Sequence, residues 1–183
     1  MEYDCTVLWA LFCIEVKIVI NKMLCTLALQ EVMMEFEVDD QKLAALLNQR
    51  AIPVLYRTGE KGTPLYIKLP FEPTNMAWLR NNATRKPKWN TEYKWWETPK
   101  AWFNDLVKRC LHKYGKVYII QPYRQQEKCA PACWNAEGHE CQCSCMGEHH
   151  GSMNSINDWY IVSDTFATKW HNLSVACRLM KKK

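Results

Sequence analysis

The feature that most constrains this chain of 183 residues is a short segment, residues 129–150, that is crowded with cysteine and histidine. Its spacing is Cys-x3-Cys-x7-Cys-x-Cys-x-Cys-x3-His-His, and its candidate donors are Cys129, Cys133, Cys141, Cys143, Cys145, His149 and His150, with His139 among them. The segment has no apolar periodicity of its own, so hydrophobic packing does not explain how it becomes ordered. A bound metal ion supplies such folding free energy in small metal modules.

Thiolates and imidazoles are the ligands that tetrahedral Zn²⁺ selects, so we expect zinc as the cofactor. Cys129 and Cys133 are expected to form one arm of the site. The other arm is expected to combine Cys143 with Cys145 or His150. The eight candidate donors exceed the four that one ion needs, so either some do not bind directly or a second ion shares them. An iron–sulfur cluster and a pair of disulfides are the alternatives.

The start of the chain bears on the disulfide alternative, which requires an exported protein. Residues 1–4 are acidic where a signal peptide is basic. The apolar stretch that follows carries Glu15, Lys17 and Lys22, which makes a membrane span costly. We therefore expect a cytoplasmic protein with no membrane association, where clustered cysteines indicate metal binding. Met33 and Met34 raise the further hypothesis that residues 1–33 are an upstream extension.

The remaining sequence predicts an α+β fold, because strand and helix signals do not alternate regularly and no repeat is present. We expect an α+β domain over residues 34–123, a zinc-binding loop inserted at 124–151, and a strand–helix–strand unit at 152–183 that completes the domain. The expected elements before the loop are a strand at 36–38, a helix around 43–47 capped by Asp39 or Asp40, a hairpin of 54–56 and 65–67, a helix at 76–79 capped by Thr74, and a strand at 93–96.

The clearest helix signal follows that strand. Thr98 is a good N-cap, Pro99 suits the first helical position, and Gly115 ends the pattern. The apolar residues at helical spacing are Trp102, Phe103, Leu106, Val107, Cys110 and Leu111. Residues 116–121 are predicted to be a buried strand. After the loop we expect a strand at 159–162, a helix at 164–170 and a strand at 173–180.

Residues 78–102 interleave aromatic rings with cations, a pattern that favours single-stranded nucleic acid because bases stack on rings while Lys and Arg neutralise phosphates. The net charge of the whole chain is only +5, so the clustering carries the argument. In a strand only one of Trp95 and Trp96 faces inward. Exposed aromatic residues also mark protein interfaces. The candidate nucleic-acid contacts are Arg85, Lys86, Lys88, Trp89, Lys94 and Trp96.

Two motifs resemble nucleic-acid enzymes. The run of residues 86–90 (Lys-Pro-Lys-Trp-Asn), followed by residues 94–99, resembles the HARP-type substrate-recognition modules of DNA-annealing helicases, which implies recognition of forked DNA. His149-His150-Gly151, followed by Asn172-Leu173-x2-Val175-x-Cys177, resembles the first and middle motifs of His-Asn-His (HNH) nucleases. That resemblance implies a metal-dependent nuclease in which one histidine is the general base.

A third resemblance covers the chain from about Pro87 to its last residue. It is carried by Gln-Pro-Tyr-Arg at 121–124, Glu-Lys-Cys-Ala-Pro-Ala-Cys-Trp-Asn-Ala at 127–136, and Glu-Cys-x-Cys-Ser-Cys-Met-Gly at 140–147 with His150-Gly151. These motifs look like those of a group of uncharacterised bacterial and mobile-element proteins. The resemblance implies a prokaryotic cytoplasmic setting and a shared Cys-rich loop, and it brings no activity.

The sequence thus predicts a zinc-containing, non-catalytic accessory protein that binds nucleic acid, either DNA or RNA, or associates with a nucleoprotein complex. One alternative is a metal-dependent HNH-like nuclease that uses His149 or His150. The other is an inhibitor or adaptor that docks on a nucleic-acid-processing protein. No small-molecule substrate is evident.

Overall fold

The computed structural model describes residues 41–153, 158–170 and 173–183, except for the side chains of residues 163–164. The expected extension at 1–33, the strand at 36–38, the capping residues Asp39 and Asp40, and Asn172 of the nuclease-like motif lie outside the described residues. Within these ranges no helix is long and apolar enough to cross a bilayer.

Among the described residues, seven strands form one mixed sheet in the order β3-β4-β2-β1-β5-β7-β6. Neighbouring strands are antiparallel except β1 and β5, which are parallel. This arrangement of helices beside a mixed sheet confirms the α+β fold. The elements are helix α1 (residues 41–48), β1 (Val54–Arg57), β2 (Leu65–Lys68), helix α2 (Asn75–Arg80), β3 (Lys88–Asn90), β4 (Trp95–Thr98), a 3-10 helix (Lys100–Trp102), helix α3 (Phe103–Tyr114), β5 (Lys116–Pro122), helix α4 (Pro131–Trp134), β6 (Trp159–Trp170) and β7 (Leu173–Lys182).

The sheet is buried on both faces, because successive side chains of each strand point to opposite sides. On the first face, Leu55 of β1 and Ile119 of β5 pack with the apolar stripe of α3. On the second face, Val54 and Ile120 pack with Leu43 and Leu46 of α1. The helix expected around residues 43–47 and the hairpin of β1 and β2 are thereby confirmed.

The two-sided core corrects the expectation for the tryptophan pair in β4. Trp95 faces the second side of the sheet and is buried, whereas Trp96 faces the first side and packs against the core there. The alternation was predicted correctly, but neither ring is left freely exposed, because both faces of the sheet are covered.

The start of α3 also differs from the prediction. Thr98 is the last residue of β4, and its buried Oγ1 donates a hydrogen bond to the carbonyl oxygen of Leu65 at 3.2 Å. The hydroxyl therefore ties β4 to β2 and does not cap a helix. Pro99 precedes the 3-10 helix, and α3 itself begins at Phe103. Gly115 ends α3 as predicted, with φ of 71° and an N–H bond to Leu111 O.

The helix expected at 164–170 is wrong, because β6 continues through these residues as a strand paired with β7. The register shifts between Val162 and Phe166, which indicates a β-bulge. A bulge interrupts the alternation of side chains between the two faces of the sheet, so the sequence pattern did not predict a strand here. Lys88, one of the candidate nucleic-acid contacts, is the first residue of β3, a strand that the sequence did not predict.

Candidate metal centre

The Cys/His-rich segment connects β5 to β6, and backbone hydrogen bonds fold it back on itself. The Arg124 N–H bonds to Gln142 O and the Ser144 N–H bonds to Glu127 O, each at 2.8 Å. Pro131 begins the short helix α4, where its missing N–H costs no hydrogen bond. Through these contacts, cysteines distant in sequence come together.

Four thiol sulfurs form a tetrahedron. Measured from Cys133, the Sγ–Sγ distances are 3.9 Å to Cys141, 3.7 Å to Cys143 and 3.8 Å to Cys145. The remaining three edges, among Cys141, Cys143 and Cys145, measure 3.5, 3.7 and 3.2 Å. A Zn–S bond of about 2.3 Å implies a tetrahedron edge of about 3.8 Å. The four sulfurs therefore have the spacing of thiolates that ligate Zn²⁺.

Two further donors adjoin this tetrahedron, and the donor atoms fall into two overlapping groups. In each group the atoms lie within 4.8 Å of one another. Both groups could hold a metal ion, and Cys133 belongs to both. The first group is Cys129, Cys133, Cys143 and Cys145, and the second is Cys133, Cys141 and His150.

The segment's remaining histidines are placed differently. His149 is exposed and belongs to neither donor group. His139 is fully buried beside the Trp159 ring, with 5.1 Å between ring centroids. Neither ring nitrogen of His139 has a hydrogen-bond partner among the described residues. Burial, reinforced by the nearby Arg178 guanidinium, lowers the pKa of His139 to about 3, so the imidazole is neutral.

Hydrogen bonds orient Cys129 and His150, the two donors outside the four-sulfur tetrahedron. The Trp134 indole N–H donates to the Cys129 sulfur at 3.2 Å. The Nε2 atom of His150 lies 3.0 Å from the Gly138 carbonyl oxygen, and its Nδ1 atom lies 3.3 Å from the Cys133 sulfur. A ring N–H held by a backbone carbonyl, with the other nitrogen directed at the site, is the usual arrangement of a metal-binding histidine.

Sequence reasoning missed one component of the site, the Arg178 side chain. It is fully buried on β7, and it donates a hydrogen bond to the His139 carbonyl oxygen. Desolvation lowers the pKa of Arg178, while the negative charge of a Cys141 thiolate raises it. A lone arginine within the apolar run of residues 175–180 (Val-Ala-Cys-Arg-Leu-Met) was the available signal, because an inward-facing charge there needs a partner.

The pKa values of the thiols differ because their surroundings differ. Burial raises the pKa of Cys141 to about 12 and raises that of Cys133 as well. Burial also opposes ionisation of Cys145, but backbone N–H groups of His149 and Gly147 outweigh it and lower the pKa of Cys145 to about 6. Buried thiols with raised pKa values become thiolates only when a cation compensates the charge.

Side chains of the sheet and of α3 anchor the segment. Gln121 at the end of β5 donates to the Cys141 carbonyl oxygen. Asn104 of α3 accepts a hydrogen bond from the His139 N–H at 2.8 Å. Arg57 at the end of β1 forms a 2.7 Å salt bridge with Glu140. The metal centre is therefore attached to the domain core.

The predicted nucleic-acid contacts lie in or beside β3 and β4, at one edge of the sheet. Trp89 is 48% exposed, and its ring stands edge-to-face on Trp96 with 5.1 Å between centroids. Trp96 is half-buried and supports that ring from below. We call the exposed set the basic–aromatic edge; it consists of Arg85, Lys86, Lys88, Trp89 and Lys94.

One cleft borders this edge, and a second cleft, on the other face of the sheet, shares Thr63 with it. The basic cleft, of about 640 Å³, is lined in part by Arg85, Lys86, Lys88 and Lys100. The aromatic cleft, of about 310 Å³, is lined in part by Tyr56, Tyr66, Tyr93, Trp95 and Trp170.

No protein-family model, curated protein or solved structure matches this chain.

Proposed function

We propose that this chain is a zinc-containing protein that binds single-stranded nucleic acid through the basic–aromatic edge, and that its metal centre has a structural role. The observation that supports nucleic-acid binding most directly is the exposed Trp89 ring among exposed cations on an edge strand. Among the described residues, Arg85, Lys86, Lys88 and Lys94 form no salt bridge. Within the described part of the chain, Glu97 is the one carboxylate beside the four cations that line the basic cleft, so the cleft has net positive charge.

The donor set supports zinc. Sulfur and imidazole nitrogen are the ligands of structural zinc sites, and the sulfur spacing fits Zn–S bonds of about 2.3 Å. Such sites are closed, with four protein ligands and no position for a substrate. The six protein donors of the two groups are enough to close such a site without a substrate.

Trp89 is positioned to stack on a base. Its ring is supported by Trp96, so little conformational freedom is lost on binding, and base–aromatic stacking contributes about 1–3 kcal/mol per base. Lys86 and Lys88 line the adjoining basic cleft, where they would neutralise phosphates.

The nuclease alternative has less structural support. His150 is buried, and each of its ring nitrogens already faces a partner, Gly138 O or the Cys133 sulfur. It is therefore poorly placed to act as a general base on a substrate. Only the exposed His149 remains for that role.

Fluorescence anisotropy with labelled single-stranded DNA and RNA tests the proposal. We expect Trp89→Ala to weaken binding roughly 5- to 150-fold, the equivalent of about 1–3 kcal/mol of stacking. The matched control is Phe71→Ala, which removes another exposed ring at a site outside the edge. Equal affinities of the two variants, with the fold intact by circular dichroism, would exclude Trp89 as a stacking platform.

Salt dependence separates nucleic-acid binding from protein docking. Loss of phosphate contacts in the double variant Lys86→Gln/Lys88→Gln should weaken binding and flatten the plot of log affinity against log salt. Lys116→Gln is the control, because Lys116 begins β5, four positions from β3 in the sheet order. Binding to a nucleic-acid enzyme that needs Trp89 and does not respond to salt would favour the adaptor alternative. Cleavage of oligonucleotide in Mg²⁺ that is lost in His149→Ala would favour the nuclease.

A further inference from the structure

We propose that the metal centre holds two divalent ions that share the Cys133 thiolate, rather than one ion. The proposal is independent of nucleic-acid binding. It rests on the two overlapping donor groups, on the orientation of His150 and on the buried charge of Arg178.

The number of donors fits two ions. Two tetrahedral ions have eight coordination positions. The six donors described above fill all eight if two of the thiolates each bridge both ions. Cys133 is one bridge because it belongs to both groups. The second bridge is Cys143 or Cys145, whose sulfurs lie 3.5 and 3.7 Å from that of Cys141.

The orientation of His150 fits a second cation beside Cys133. A carbonyl oxygen can only accept, so the 3.0 Å contact with Gly138 O assigns the ring proton to Nε2. The Nδ1 atom then presents a lone pair to the Cys133 sulfur at 3.3 Å. If Cys133 is a thiolate ligand of an ion inside the four-sulfur tetrahedron, two lone pairs face each other. A second ion bound by both atoms removes that repulsion and explains the hydrogen bond to Gly138.

The contacts of the Cys129 sulfur are also those of a metal ligand. The Cys129 sulfur accepts the Trp134 indole N–H, a contact that stabilises a thiolate more than a thiol. In a one-ion site built on Cys133, Cys141, Cys143 and Cys145, this hydrogen bond and the His150 orientation would both have no role.

Charge balance favours two ions as well. Five thiolates carry five negative charges, and burying uncompensated charge is costly. Two divalent ions contribute four positive charges, and the fully buried Arg178 guanidinium contributes the fifth. One ion with all five thiolates and Arg178 would leave two negative charges, and one negative charge would remain if Cys129 kept its proton. A neutral centre therefore needs two ions.

The test is the metal content of the purified full-length chain after dialysis against metal-free buffer, measured by native mass spectrometry and elemental analysis. We expect two zinc ions per chain. His150→Ala should retain one ion, whereas His149→Ala, the adjacent exposed histidine, should retain two. Equal metal content in the two histidine variants would contradict the proposal.

Cadmium substitution tests the shared thiolate directly. Two cadmium NMR resonances that are mutually coupled are expected, because a bridging sulfur transmits spin coupling between the ions. A wild-type content of one ion or none, or two resonances without coupling, would overturn the proposal even if the histidine variants fail to fold. Acid-labile sulfide together with iron would also overturn it in favour of an iron–sulfur cluster.

Discussion

The sheet and the Cys/His-rich segment of this domain differ in the kind of side chain that they bury. In the sheet, Leu55, Ile67 and Ile119 are fully buried, and apolar packing covers both faces. In the segment between β5 and β6, the buried side chains include cysteines and histidines, whose burial is costly unless a cation is bound. The comparison teaches that one part of a domain can be covered by apolar packing while another part gathers donors that could hold a metal ion. The two parts should therefore fail separately.

The largest effect is expected from removing the shared metal ligand. Cys133→Ser should release metal and disorder the segment while the sheet persists, because structural zinc contributes about 10 kcal/mol or more to folding of small modules. We expect a drop in Tm on the order of ten degrees. Zinc content and hydrogen exchange of residues 124–153, compared with β1 and β5, provide the measurement.

The control for that variant is Cys110→Ala. Cys110 is a buried cysteine of α3 that packs in the apolar core and belongs to neither donor group. Its variant should keep its zinc and protect the metal segment normally. Retention of metal by Cys133→Ser would contradict the assignment of Cys133 as a ligand.

The next largest effect tests the apolar side of the comparison. Ile119→Ala in β5 should cost about 2–5 kcal/mol of unfolding free energy, because it leaves a cavity in a fully buried position. The folded variant should retain its full metal content. Urea denaturation, with Phe71→Ala as an exposed control, measures the loss. If metal is lost in native buffer, the two regions are more tightly coupled than we infer.

A smaller effect is expected where the two regions touch. Gly147 has φ of +100°, and an added Cβ would lie 2.7 Å from the Arg178 Nη1 atom. Gly147→Ala should therefore destabilise the protein by about 2 kcal/mol, since it combines backbone strain with displacement of Arg178. Gly62→Ala is the matched control, because Gly62 also has positive φ but has no atom within 4 Å of an added Cβ. Equal losses in denaturation experiments would show that the Arg178 contact contributes nothing.

The smallest predicted effect concerns pH. The folded state holds the pKa of His139 at about 3, well below the usual value near 6.5, because the ring is buried. The unfolded chain therefore takes up the proton first as pH falls, so this contribution to stability is full above about pH 6.5 and declines below it. At pH 5.5 the loss is about 1.4 kcal/mol. His139→Phe should show a correspondingly weaker decline between pH 8 and 5.5 at saturating zinc. A decline as steep as that of the wild type would mean that His139 does not contribute.

Local signals predicted much of this fold. The helical repeat of α3, its glycine end, the hairpin of β1 and β2, and the buried strand β5 follow from patterns within a few residues. The errors arose where tertiary contacts outweighed local preference. Thr98 looked like a cap, but its hydroxyl bonds to Leu65, which is 33 residues away in sequence. The bulge in β6 depends on pairing with β7.

The candidate site was predicted in composition but not in arrangement. The Cys/His spacing identified a group of donors that could hold a metal. The spacing does not predict that His149 is exposed while His150 is buried, nor that Arg178 is buried. Both features depend on how the segment packs on β7. Zinc, nucleic-acid binding, and a prokaryotic cytoplasmic setting stay predictions.

The strand order has a consequence for how this domain assembles. Both β5 and β6 are antiparallel to β7, which lies between them, so β5 and β6 run in the same direction. Such a pair requires a crossover connection of a dozen or more residues, and an α-helix usually provides it. Here the Cys/His-rich segment between β5 and β6 is that crossover. The β6–β7 hairpin can form locally, but pairing of β7 with β5 must close this loop, and without the proposed metal ions the loop is a long tether. The metal should therefore accelerate folding as well as stabilise the folded state.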